Sequence, residues 1–239
     1  MRISILFLFL SICPLAWGEK IHPWLIPLRD SVYENVLNIH RIRMLYQTAK
    51  NTANDNLEGA ELNVALARCE YFMGRAFQLE KLNDSAIHHF GEGLKFAQKA
   101  IDLKPSDESW VALGENMAQM CALRSWAYVL VNGLSVGRYS ENALKFNNRN
   151  ARAYFLIASR WVFAPRPFND IPRGINIMKS ILTDSDPDKC DLYNTYYSIG
   201  AGYELLKNPS EAILWVNKSL ELYPTNKESL ELLDRLKGN

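Results

Sequence analysis

The sequence predicts an all-α protein, a solenoid of antiparallel helix pairs with capping helices. Three observations carry that expectation. Groups of the form aliphatic-small-x2-large recur: Met73-Gly74-x2-Phe77, Leu113-Gly114-x2-Met117, Ile157-Ala158-x2-Trp161 and Ile199-Gly200-x2-Tyr203. Their period falls within about 34–45 residues, the size of one stacked supersecondary unit. Sustained period-2 alternation, the mark of a half-buried strand, is missing. The small residue in each group has a physical meaning. It lets two helix backbones approach until their ridges interlock.

The clearest unit runs from Tyr196 to Pro224. Tyr196-x2-Ile199-Gly200-x2-Tyr203 forms one helix, Ala212, Val216 and Ser219 lie on the next, and Pro224 follows. Gly200 is expected opposite Ala212, with Tyr203 and Val216 filling the space beside them. Pro224 lacks an N–H and ends the second helix. These eight positions match a tetratricopeptide repeat (TPR) in type and spacing, and the chain resembles that family. The resemblance implies a TPR-like right-handed solenoid and an adaptor role. In such proteins the first helices of successive repeats line a concave surface that takes extended peptides or helices.

From the start of the chain, Met1-Arg2, an apolar run from Ile3 to Leu10 and the small residues Ala16 and Gly18 describe a secretory signal over residues 1–18. A rival lipobox, Leu10-Ser11-Ile12-Cys13 with Cys13 acylated, is disfavoured by the bulk of Ile12. No later run approaches the roughly 18 apolar residues of a membrane span. The expected product is therefore exported, periplasmic or secreted, with no transmembrane segment after signal removal. Losing residues 1–18 removes one base, Arg2, and no acid, which leaves 26 of each and zero net charge. That balance argues against a nucleic-acid partner, which needs a basic stripe.

Residues 19–56 read as a lead-in and capping helix. The lead-in is extended around His22, Pro23 and Pro27, and a cap at Asp30 or Ser31 opens a single helix to about Thr52. A polar break follows over 51–56. The repeat domain is expected over 57–239, with units at about 67–105, 107–148, 151–187 and 193–224 and a capping helix at 226–237. In the first unit Ala86, Phe90 and Gly93 are followed by Ala100 and Pro105, seven residues beyond the regular end. Seven residues is about two turns, so the second helix lengthens without rotating its buried face. In the second unit Ser106-Asp107 caps a helix expected to run through Trp126 to a break at Asn132-Gly133. A short, degenerate partner follows, with Val136 and Ser140 as poor matches. In the third unit Pro165, Pro167 and Pro172 forbid a continuous helix across 163–173, and the second helix restarts near Gly174.

Chemical motifs are sparse. Gly-rich phosphate loops, G-x-S-x-G and H-E-x-x-H are missing, so no catalytic residue, cofactor or metal site is expected. His88-His89 point to different sides of a helix and read as an exposed pair beside Phe90. Asp184 with Asp186, and Asp188 with Asp191, read as a solvated helix boundary. Cys69, Cys121 and Cys190 are odd in number and lack C-x-x-C spacing. They read as small buried hydrophobes, with a disulfide between two of them as the alternative.

The TPR resemblance, carried over position by position, implies a partner-binding face. Its residues are Arg68, Tyr71, Arg75 and Gln78, then Glu115 and Gln119, then Arg152, Phe155 and Ser159, and finally Asn194, Tyr197 and Glu204. A protein or peptide partner is implied, with the oligomeric state left open. A second candidate is the Pro-rich loop, where Arg166, Phe168, Asp170 and Arg173 offer a contact surface. Local packing of Phe163 and Phe168 under the loop is the competing reading. The lengthened helix and this F-A-P loop together resemble the periplasmic TPR component associated with TRAP transporters. That resemblance implies a solute-binding or transporter partner and the handling of a small ligand. An enzyme of unknown type with its site in the concave face is the remaining alternative.

Overall fold

The computed structural model describes residues 21–36 and 38–238. The leader expected over 1–18, with Cys13, lies outside them. Among the described residues there are eleven α-helices and no strand. A 3-10 turn at Pro23–Leu25 leads into α1 (Ile26–Glu34) and α2 (Ile39–Asn56). The pairs are α3 (Gly59–Leu79) with α4 (Asn83–Leu103), α5 (Asp107–Leu123) with α6 (Trp126–Phe146), α7 (Ala151–Phe163) with α8 (Ile171–Asp184), and α9 (Lys189–Leu205) with α10 (Pro209–Leu222). The chain closes with α11 (Lys227–Lys237). Each pair packs on the next through α4–α5, α6–α7 and α8–α9. The first helices also touch in a row, α3–α5–α7–α9. This is an all-α solenoid.

The small residues do what their spacing requires. A Cβ on Gly200 would stand 2.6 Å from Val216 Cγ2 and 3.2 Å from the Ala212 carbonyl oxygen, so only glycine permits this α9–α10 approach. One on Gly74 would meet the Phe90 ring at 2.6 Å, and one on Gly174 would meet Val162 Cγ2 at 2.5 Å. The lengthened α4 is present and buries Ala86, Phe90, Gly93, Ala97 and Ala100 along one face.

Several boundaries differ from the sequence reading. The lead-in is a 3-10 turn and then a helix, and the single helix expected from Asp30 to Thr52 is two. Asn35 adopts φ 54°, a left-handed cap that ends α1, and the Asn38 side chain accepts from the Arg41 N–H to start α2. Asparagine tolerates that conformation better than most residues. The polar run 51–56 is no break: Ala49 and Ala53 are buried on one side of α2 and its polar residues face outward. α3 starts at Gly59, ahead of the expected start near 67. The largest correction is in the second unit. α5 stops at Leu123, and α6 passes unbroken through Asn132-Gly133. Val136, Gly137, Ser140 and Ala143 are all buried along it. Ser140 reaches this core because its hydroxyl donates to the Val136 carbonyl at 2.8 Å.

Nor does α1 sit at an open end of the solenoid. It bridges the first and last units. Tyr33 lies edge-on to Tyr193 at 5.1 Å and stacks with Tyr223 at 5.3 Å. Tyr223 Oη donates to Asp30 at 2.8 Å, and Asn226 Nδ2 donates to the Tyr33 carbonyl at 2.7 Å. Arg75 of α3 pairs with Glu228 of α11 at 2.8 Å. Asn226 also caps α11, since its Oδ1 accepts from the Ser229 N–H at 3.0 Å. Asn226→Ala removes the cap and the clasp together, and is expected to cost about 1–2 kcal/mol. Urea unfolding with an unchanged slope checks this. A loss below about 0.5 kcal/mol, the scatter of an ordinary surface change, would count against the clasp.

Candidate functional site

The row of first helices forms the floor of a cavity of about 830 Å³. α3 contributes Tyr71 and Arg75, α5 Glu115 and Gln119, α7 Arg152, Phe155 and Ser159, and α9 Asn194 and Tyr197. These nine are brought together from the twelve residues proposed for the concave face. The other three lie off the cavity lining. Arg68 is buried and bonded to Glu108, Gln78 accepts from Arg75 at 2.7 Å, and Glu204 pairs with Arg235 at 3.1 Å.

The mouth is apolar. Trp126, Leu130 and Leu134 of α6 share the lining with Phe163 at the end of α7 and with Pro165, Pro167 and Phe168 of the loop between α7 and α8. The Trp126 and Phe168 rings lie 6.3 Å apart, so the loop and the start of α6 close on each other. Phe163 and Phe168 are 49% and 55% exposed, so they are not packed under the loop as one reading had it. Of the loop candidates, Phe168 lines the mouth. Asp170 instead caps α8 by accepting the Arg173 N–H at 3.2 Å, and the Arg173 guanidinium covers Trp161 at 4.1 Å. Arg166 is exposed and off the lining.

Part of the floor is a knot of charge. Arg152 Nη2 donates to Asp188 at 2.5 Å and its Nε to Asp191 at 2.9 Å. Both aspartates are buried and also form the capping box that starts α9. The expected solvated boundary is therefore a buried ion cluster at these two positions. Burial alone would lower the Arg152 pKa, but Asp191 and Asp188 outweigh it and hold the guanidinium well above its usual value. Burial alone would raise the Asp188 carboxyl, yet Arg152 and the Asp191 N–H pull it below the usual range. Asp191 is raised by burial beyond what Arg152 offsets. Burial and the nearby Arg152 charge lower Arg68 to about 10.

Glu115 differs from these acids. It lines the cavity, is only partly buried, and has no hydrogen bond among the described residues. Burial raises its pKa against the opposing charges of Arg152 and Arg68. Burial also raises the Tyr71 phenol, and takes Tyr197 to about 12. Both phenols therefore stay protonated at neutral pH.

Glu70 occupies the place where the repeat calls for a large apolar residue, and the structure explains it. It accepts from Tyr46 at 2.7 Å and Lys50 at 2.8 Å, and His89 Nδ1 lies 2.6 Å away. Burial would raise this carboxyl, but His89, Lys50 and Tyr46 hold it below the usual value. His89 is thus a partner of Glu70 stacked on Phe77 at 5.2 Å, not half of an exposed pair. Cys69, Cys121 and Cys190 are free thiols, so the disulfide alternative is not realised. Cys69 and Cys190 are buried; Cys121 is partly so and lines the cavity.

Sequence reasoning missed the α6 wall. A signal was there: Trp126, Leu130 and Leu134 stand at i, i+4, i+8, one stripe of a helix. The misplaced break at Asn132-Gly133 hid it. Among the described residues no helix is long and apolar enough to cross a membrane, and no His, Cys, Asp or Glu group is arranged to hold a metal ion.

No known family's profile matches the chain, and neither does any curated protein. Among solved structures the chain is similar to YrrB, described as a TPR protein with an unusual peptide-binding site. The two share 16% identity over 86% of this chain and 90% of that one, with a TM-score of 0.39.

Proposed function

We propose that this protein is a non-catalytic scaffold that holds a segment of a partner protein in its concave cavity. The observation that carries the reading is the apolar mouth. Trp126, Leu130, Leu134, Phe163 and Phe168 are each between 49% and 66% exposed, and all border one cavity. Contiguous exposed apolar surface of this kind marks an interaction site on a soluble protein. Aromatic anchors over a polar floor are what protein recognition uses. A second reading, an accessory that handles a small ligand beside a solute-binding partner, draws support from the volume. About 830 Å³ lies within the range of small-ligand pockets, roughly 300–1,000 Å³. The rim favours the first, because Leu130, Leu134 and Phe168 are each more than half exposed at the border of the cavity, a spread of apolar surface that a peptide segment covers better than a small ligand. Export, inferred from residues 1–18, places the partner in the periplasm or outside the cell.

The test is a capped peptide library scored for binding to the purified protein. Tyr71→Ala with Tyr197→Ala, and separately Leu134→Glu with Phe168→Glu, are each expected to weaken the selected peptides at least about tenfold. Peptides that bind both double variants as tightly as the parent protein would place the interface elsewhere. If nothing in the library binds but the cavity takes a small molecule, the second reading replaces the first.

A further inference from the structure

We infer that the cavity selects a peptide segment that carries a lysine or arginine between apolar residues, with Glu115 receiving the cation. The inference rests on the peptide-binding reading above and adds the chemistry of the occupant. It begins with which floor charges are already matched. Arg75 is committed to Glu228, Arg152 to Asp188 and Asp191, and Arg68 to Glu108. Asp191 and Glu228, the other two acids of the lining, are therefore held by arginines. Glu115 lines the same cavity on α5 and has no hydrogen-bonded partner among the described residues; the Arg152 and Arg68 charges act on it without a hydrogen bond, and both guanidiniums are bonded elsewhere. A carboxylate part-buried in an apolar-walled cavity is costly without a donor. A charge-assisted bond from an entering ammonium or guanidinium supplies one.

The surroundings suit such an occupant. Tyr71 and Tyr197 border the floor, and Phe155 lies beside it on α7, so the stem of a long basic side chain meets aromatic surface. The apolar neighbours of that basic residue would rest on Trp126, Leu134 and Phe168 at the mouth. Arg160 is the one lining cation with no carboxylate partner among the described residues. Its guanidinium lies over Trp161 at 4.5 Å, at the mouth with the loop. Charge complementarity therefore points to a base that enters first and reaches the floor, with apolar residues behind it. An acidic side chain at the same place on the floor would instead set a second carboxylate beside Glu115.

The experiment uses four-residue peptides, acetylated and amidated, of the form Leu-X-Phe-Leu. X is lysine, arginine, norleucine or glutamate, and binding is read by tryptophan fluorescence and calorimetry. The unaltered protein is expected to bind the lysine and arginine peptides about tenfold more tightly than the norleucine peptide, and the glutamate peptide least. Glu115→Gln is expected to erase the preference for the base, so that the lysine, arginine and norleucine peptides bind about equally to that variant. Glu115→Asp, which keeps the charge one methylene back, is expected to retain part of it. Equal affinity for the lysine and norleucine peptides in the unaltered protein overturns the role of Glu115 and leaves the peptide-binding reading standing. This comparison needs no variant to fold. Failure of all four peptides, and of the wider library, overturns the peptide-binding reading itself. Binding of phenethylammonium as tight as the best peptide, and lost in Glu115→Gln, would replace the peptide by a small organic cation.

Discussion

Arg152→Met is expected to destabilise the fold by about 3–5 kcal/mol at neutral pH, the cost of leaving buried partner charges unmatched. Arg152 spans two aspartates with one planar group, Nη2 to Asp188 at 2.5 Å and Nε to Asp191 at 2.9 Å. Methionine keeps most of the stem volume and removes the charge. Asp188 is fully buried and Asp191 nearly so, so neither can turn to water. Their capping-box bonds to the α9 backbone survive, which limits the loss to the charge itself. Arg152→Lys is expected to fall between the two, because a single ammonium cannot reproduce a two-point fork.

The same change carries a pH signature. In the parent protein the Asp188 carboxyl is held below its ordinary value. Its contribution is complete above the unfolded carboxylate range, about pH 4, and is lost as pH falls through the depressed folded value. Asp191, raised by burial, works in the opposite sense: it favours the fold at low pH and gives that up as pH rises through its folded value. Removing Arg152 leaves burial and mutual repulsion to push both carboxyls up, so protonation relieves the variant. The gap between parent and variant should therefore be widest near pH 7 and shrink below about pH 5. Urea titrations at pH 7.5 and pH 4 measure it. A gap that stays constant between them would mean that lost packing, not charge, sets the cost.

The contrast between regular and irregular units explains what the sequence could show. The α9–α10 pair was legible because Gly200, Ala212 and Val216 meet through backbone closeness, which has one sequence solution. The charge cluster was not legible. Asp188 and Asp191 look like a polar turn until a helix from another unit delivers Arg152, and such a partner 36 or 39 residues away leaves no local mark. Glu70 stands where the repeat calls for a large apolar residue, and only Tyr46, Lys50 and His89, brought from other elements, account for it. The α5–α6 boundary failed for a different reason. Asn132-Gly133 is a strong turn signal, yet α6 buries Ser135, Val136 and Gly137 just beyond it, and tertiary packing overrides local propensity there. The cavity wall went unseen with that boundary. So nine positions of the floor followed from the repeat resemblance and Phe168 of the mouth from the Pro-rich loop, while the α6 side of the mouth did not.

Gly174→Leu is expected to cost about 3 kcal/mol or more, and the size of the effect follows from what the new side chain meets. A Cβ at Gly174 would lie 2.5 Å from Val162 Cγ2 and 2.9 Å from the Ala158 carbonyl oxygen. Val162 has one χ1 torsion to move; the Ala158 backbone has no such freedom, so α7 and α8 must separate. Overpacking of this kind costs about 1–3 kcal/mol for a few methylenes, and a leucine adds three carbons beyond a Cβ that already meets α7 backbone at Ala158 O and Val162 N. Alanine at 174 recovers about 1 kcal/mol of helix propensity and still meets the carbonyl, so a net loss of about 1–2 kcal/mol is expected. Gly91 supplies the control. It lies inside α4 with nothing within 4 Å of its Cβ position, so Gly91→Ala is expected to stabilise by about 0.5–1 kcal/mol. The opposite signs of two identical chemical changes test whether glycine spacing holds this solenoid together. If Gly174→Ala stabilises as Gly91→Ala does, the close α7–α8 approach is not a constraint. The loop from Ala164 to Asp170 would then be free to reset the cavity mouth. Should the expected signs hold, the glycine contact fixes the α7–α8 angle, and with it the position of Phe168 opposite Trp126.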